Sequence, residues 1–168
     1  MIRPTIFLAI FTLALTSCQS EYERKVASEL ASGERHDSLF FGLHFGMDTK
    51  DFFAHCWDLN KKGIWKEGSS NMSVQYKMTE LKHPAYMDFY PKFEQGKIFE
   101  MPVMFSYVAW APWNKAQSAD SLLLDVLGLF KKWYGEDFME IKDKQGNVLY
   151  VKVDGNRRIT LYKEPLQD

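Results

Sequence analysis

The sequence has little cysteine, no excess of charge of either sign and no long hydrophobic run. Cys18 and Cys56 are the only cysteines in 168 residues. Its 21 basic and 22 acidic side chains nearly cancel, leaving a net charge of −1. That balance provides neither an electrostatic footprint for nucleic acid nor a polybasic patch for anionic lipid. The apolar run from Ile6 to Leu15 is broken only by Thr12 and is about half the ~20 residues that a membrane-crossing helix needs. Catalytic signatures are also missing. The four histidines show no H-E-x-x-H spacing, and no G-x-S-x-G, P-loop or dinucleotide-binding glycine pattern occurs. Asp137, Glu140 and Asp143 sit at predicted strand ends, where solvated charge is expected, and no carboxylate pair stands out as acid and base. No metal and no cofactor are expected, and the chain reads as non-catalytic.

The first eighteen residues carry a pattern of their own. Met1 and Arg3 make a short basic start, the apolar run follows, and small residues lead into a cysteine, which is the layout of a secretory signal. Leu15-Thr16-Ser17-Cys18 resembles the bacterial lipobox, in which a leucine and two small residues precede a cysteine that is lipidated and becomes the new N-terminus. The resemblance implies a cleaved signal at residues 1–17 and lipid attachment at Cys18. It also implies a lipoprotein held at the outer membrane of a Gram-negative-type envelope, on its periplasmic or cell-surface face. Each buried methylene contributes about 0.8 kcal/mol, and more than one acyl chain is needed for stable attachment. Cleavage would remove Arg3 and leave 20 basic against 22 acidic side chains, so lipid rather than charge would hold the protein at a membrane. With Cys18 lipidated only Cys56 remains, and no intrachain disulfide can form even in an oxidising compartment. A lone thiol on an apolar helix face is expected in the core.

The remaining length suits one domain, and thirteen Phe, eight Tyr and five Trp provide ample material for its core. Residues 18–37 read as a lipidated N-terminus and tether, rich in Glu, Ser and Lys, in which Val26 and Leu30 support at most a short helix. Residues 38–168 read as a single globular domain. Leu39 to Phe45 is predicted as a strand. Asp48 then caps a first helix whose stripe of Phe52, Cys56 and Leu59, with Phe53 and Trp57 beside it, is expected to face a sheet and to end near Gly63. Met72, Val74, Tyr76 and Met78 alternate with Ser73, Gln75, Lys77 and Thr79, a half-buried strand with one wet face. Ala85 to Phe93 and Ile98 to Ala109 form a hairpin about the turn Glu94-Gln95-Gly96-Lys97, with Pro84 and Pro91 marking an edge or a bulge.

Ser118 or Ser121 caps a second helix carrying Leu123, Val126, Leu127, Phe130, Trp133 and Tyr134 at helical spacing and closed by Gly135. Three strands follow, Phe138 to Lys142, Val148 to Val153 and Arg158 to Tyr162, separated by Gln145-Gly146-Asn147 and Asp154-Gly155-Asn156; a turn of the second kind is a strong hairpin signal. Short turns without crossover connections imply an α+β fold. The expected order is β-α-β-β-β(-β)-α-β-β-β, in one antiparallel sheet of about six or seven strands with two helices on one face, or in two α-βββ halves side by side. Gly46, Met47, Asp48 and Asp51, followed by an antiparallel meander, resemble the opening of BamE/SmpA-type lipoproteins and of the related beta-lactamase inhibitor proteins. That resemblance, over roughly residues 45–95, implies a small α+β domain with a structural or assembly role at the outer membrane.

Beside that structural or assembly role, two further functional readings compete. Trp110-Ala111-Pro112-Trp113-Asn114 puts two tryptophans, stiffened by a proline, where a strand leaves the sheet. Indole faces at a loop stack on sugar rings or bury a partner's side chain. Tyr107 and Trp65 are expected to extend that surface, which makes the chain a binding or accessory module for a protein or a glycan. The other reading is a small enzyme using Cys56. Adjacent His55 points about 100° away on a helix, so His36, His44 or His83 would have to supply the base.

Overall fold

A computed structural model describes residues 20–68, 73–109 and 113–164. The segment expected to be a signal, Cys18, Met72 and Trp110 lie outside the described residues. Among the described residues three α-helices and nine strands occur in the order α1 (Glu21–Ser32), α2 (Thr49–Lys61), β1 (Trp65–Glu67), β2 (Val74–Met78), β3 (Ala85–Phe89), β4 (Lys92–Glu94), β5 (Lys97–Glu100), β6 (Val103–Tyr107), α3 (Ala119–Tyr134), β7 (Met139–Lys142), β8 (Val148–Asp154) and β9 (Arg157–Tyr162). The α+β class holds, but the strands divide among three antiparallel sheets, β1-β2-β3-β6, β4-β5 and β7-β8-β9. Two prolines set the β4-β5 pair apart from the first sheet. Pro91 separates β3 from β4 and Pro102 separates β5 from β6, and a residue without an N–H cannot continue a ladder through a sheet interior. The expected hairpin survives in two pieces, β4-β5 and β3-β6. Gln95 (φ 50°) and Gly96 (φ 77°) both take the left-handed conformation that a two-residue type I′ turn requires.

The segment predicted as a tether is largely helix. Ser20 and Glu23 form a reciprocal capping box, and Gly33, at φ 71°, ends α1. Its half-buried face is Tyr22, Lys25, Val26 and Glu29, at i, i+3, i+4 and i+7, while Leu30 is exposed. This helix covers the outer face of the β7-β8-β9 sheet, where Val151 and Val153 are buried and Arg158 lies over the Tyr22 ring. The inner face carries Tyr150, Lys152, Ile159 and Leu161, in register as Tyr150↔Leu161 and Lys152↔Ile159. On that side Arg157 lies over the ring of Tyr134 on α3. Helices therefore lie on both faces of this sheet rather than on one.

Leu39 to Phe45 is a tight turn, not a strand. Phe41 (φ 52°) and Gly42 (φ 81°) reverse the chain, the Leu39 N–H bonds the Leu43 carbonyl at 2.9 Å, and Ser38 and His44 form an isolated bridge. The reversal sends both Phe40 and Leu43 into the core, which no strand alternation allows. The stripe on α2 is narrower than predicted: Phe52 is fully buried, Cys56 and Leu59 are half-buried, and Phe53 and Trp57 are exposed. Asp48 stands at the N-cap of α2 but makes no side-chain cap bond. Lys97 pairs with its carboxylate instead, and Thr49 ties the helix start to the Gly96 carbonyl through its N–H and hydroxyl. On β2 the expected wet face is half wrong, because Gln75 is buried and donates to both carboxylate oxygens of buried Asp88. The core is packed by Phe52, Phe89, Leu43, Met78, Met87 and Ile98. On α3, Ser118 accepts from the Ser121 N–H as N-cap, and Leu122, Val126, Leu127, Leu129 and Phe130 are buried.

Candidate functional site

The predicted aromatic surface does not assemble among the described residues. Trp113 is 84% exposed, and Asn114 beside it donates from Nδ2 to Gln117 Oε1 at 2.9 Å. Tyr107, at the end of β6, is buried with its hydroxyl on Asp125 Oδ2 at 3.0 Å and its ring edge-on to His83. Burial and the bond to Asp125 push that hydroxyl's pKa up to about 12. Trp65 is corrected from surface to core. Only 3% exposed, it meets Phe41, His55 and Phe89 edge-on at 5.1–5.7 Å. Its Nε1–H has no hydrogen-bond partner among the described residues.

A groove of about 720 Å³ lies between β6 and β9, inside the volume range of ligand sites. Leu122, Leu123, Val126 and Phe130 of α3 line it, as do Val103 to Phe105 of β6 and the whole of β9. Both strands end their sheets. An edge strand presents a row of unpaired N–H and C=O groups, a template for a further strand. Arg157 closes one part of the groove without leaving a free charge. Its guanidinium pairs with Asp154 at 2.7 Å, donates to the Ser38 carbonyl at 2.7 Å and stacks on Tyr134. The groove escaped sequence reasoning because its walls come from residues 103–105 and 157–164, which no local pattern relates.

Cys56 is badly equipped for nucleophilic chemistry. Burial pushes its thiol up to about 11, so little thiolate exists near neutral pH. The ring of His55 is taken by the Phe41 carbonyl, at 2.7 Å from Nε2. His44 Nδ1 lies 2.9 Å from the Phe45 carbonyl, His36 faces Glu34, and His83 packs on Tyr107. Among the described residues no three His, Cys, Asp or Glu side chains group to hold a metal, and no helix is long and apolar enough to cross a membrane.

Compared with protein-family models, curated proteins and solved structures, the chain matches none.

Proposed function

We propose that this chain is a lipid-anchored, non-catalytic binding module whose groove takes up an extended, apolar segment of a partner protein. The observation that carries the reading is the meeting of two free sheet edges, β6 and β9, over one apolar floor on α3. An added strand would pair its main chain with an edge and set alternate side chains on Leu122, Leu123 and Val126, the mode of β-strand addition. In the lipoprotein reading Cys18 precedes the Ser20 cap by two residues, and α1 is bonded to the β8-β9 turn. Attachment there would hold the domain close to the outer membrane rather than on a long leash.

The test is a selection of displayed random peptides on the full-length protein. Peptides of alternating apolar pattern are expected, and their binding should slow amide exchange along β6 or β9 and fail with Leu123→Arg. Selected peptides that leave both edges exchanging freely would defeat the groove reading. Labelled fatty acid incorporated by the wild type but not by Cys18→Ala tests the anchor separately.

A second reading rests on the exposure of Trp113. A glycan stacking on its indole would lose binding in Trp113→Ala and keep it in Leu123→Arg.

A further inference from the structure

A smaller pocket of about 300 Å³ is lined by Leu39, Phe40, Phe41, Glu80, Trp133 and Tyr134. It borders the groove through Leu39, Phe40 and Tyr134 but differs in chemistry. Four aromatic rings and one carboxylate meet there. Three come from places that sequence reasoning read otherwise: Phe40 and Phe41 from the predicted strand, and Trp133 from the core stripe of α3.

Glu80 is held rather than free to swing. Its Oε1 accepts the Tyr76 hydroxyl at 2.8 Å and its Oε2 accepts the Thr79 N–H at 2.8 Å. Tyr76 in turn packs edge-on to Phe41 at 4.7 Å, so the carboxylate and the aromatic wall are positioned together. Among the described residues no Lys, Arg or His forms an ion pair with Glu80. Phe41, at φ 52°, is fixed in the turn that buries Phe40 and Leu43, so its ring is set by the fold. The His55 ring, bonded to the Phe41 carbonyl at 2.7 Å, helps hold it there.

Aromatic faces carry negative charge density and attract cations, most strongly where water is excluded. Tyr134 already binds one cation in this way, with the Arg157 guanidinium 4.7 Å from its ring centroid. A hydrated metal ion would need several oxygen ligands, and this pocket has a single carboxylate side chain. An ammonium carrying alkyl groups fits both the apolar walls and the one charge.

We propose that this pocket binds an organic ammonium head, with Glu80 as its counter-charge and the rings of Phe41, Trp133 and Tyr134 as its cage. The site stands whether or not the groove takes a peptide. Isothermal titration of the full-length protein with choline chloride, against its uncharged isostere 3,3-dimethyl-1-butanol, tests it. Choline should bind at least about tenfold more tightly than the isostere. Glu80→Gln should remove that preference, and Trp133→Leu, at a partly exposed helix position, should weaken choline while thermal melting shows both variants folded. Equal binding of the two probes, no binding of choline, or an unchanged preference in folded Glu80→Gln would overturn the proposal. Displacement of choline by phosphatidylcholine vesicles, but not by phosphatidylglycerol vesicles, would assign the ammonium to a lipid headgroup. Choline binding that neither vesicle disturbs would assign it to a soluble ligand.

Discussion

Glu29 on α1 accepts the backbone N–H of Gly155 at 2.8 Å, joining residues 126 positions apart at the β8-β9 turn. Around this bond the same turn also holds residues 36–38. Asn156 Oδ1 accepts the His36 N–H at 2.6 Å, Asn156 Nδ2 donates to Asp37 at 2.7 Å, and Arg157 reaches the Ser38 carbonyl. What composition suggests is a tether is therefore part of the folded domain.

Gly155 is the most sensitive point of that clamp. It sits at φ 51°, and a Cβ added there would lie 2.3 Å from the Glu34 carbonyl oxygen. Backbone strain and the clash act together, so Gly155→Ala should destabilise by about 2 kcal/mol or more, read from urea denaturation. Amide exchange in α1 should accelerate with it. A variant as stable as the wild type would mean that α1 is not docked as described.

The clamp should also weaken in acid. The Gly155 N–H first and Lys25 second hold Glu29 below its usual carboxylate range, and Asn156 and Arg35 do the same for Asp37. A lowered folded pKa contributes stability that is complete above the unfolded value and is lost as pH falls through the folded one. Stability should stay level down to about pH 5 and fall below about pH 4, near the unfolded carboxylate values. In Glu29→Gln the fall should be shallower, and a curve identical to wild type would contradict the linkage.

Lys152 is buried on the inner face of β8 and pairs with Asp137, which also holds that carboxylate below its usual range. Removing the partner would leave a buried ammonium uncompensated. Asp137 is itself half-exposed, so solvent screens part of the loss. Asp137→Asn should cost about 1–2 kcal/mol rather than the 3–5 of a sealed pair. Adding Lys152→Met should recover most of it, since an apolar replacement no longer needs a counter-charge. Denaturant midpoints of the single and double variants measure both effects.

The two tryptophans should separate cleanly. Trp113→Ala, at an exposed site, should change stability by less than about 0.5 kcal/mol. Trp65→Ala, which empties a site among Phe41, His55 and Phe89, should cost about 3–5 kcal/mol. Thermal melting of both variants is enough, and a large loss at Trp113 would remove it as a binding candidate.

Cys56 should be slow toward thiol reagents. With its thiol raised to about 11 by burial, the thiolate fraction at neutral pH lies far below that of free cysteine, near 8.5. Iodoacetamide labelling of the folded protein should be at least about tenfold slower than in denaturant, and fast labelling would revive the enzyme reading.

Much of the secondary structure was legible because its causes are local. Ser118 and Gly135 bracket α3, Gln95-Gly96 turns a hairpin, and alternation marks the β7-β8-β9 meander. Misreadings fell where a distant partner overrode the local signal. Lys97 took the Asp48 carboxylate from its helix, Asp88 drew Gln75 inward, and Phe41 accepted a left-handed backbone so that Phe40 and Leu43 could both be buried. The candidate sites were harder still. Trp113 was visible as an aromatic loop residue, but nothing near Glu80 in the chain announces Trp133, and nothing near β6 announces β9.

The sequence by itself determined the α+β class, two of the three helices among the described residues, most of the strands, and a nearly neutral charge balance. Capping, helical spacing and alternation act over a few residues, so they can be read without a fold. Tertiary structure alone decided how the strands divide among three sheets, which tryptophan is buried, where two edges leave a groove and which rings surround Glu80. Those outcomes depend on packing between segments far apart in the chain, and such contacts form only when the whole core closes.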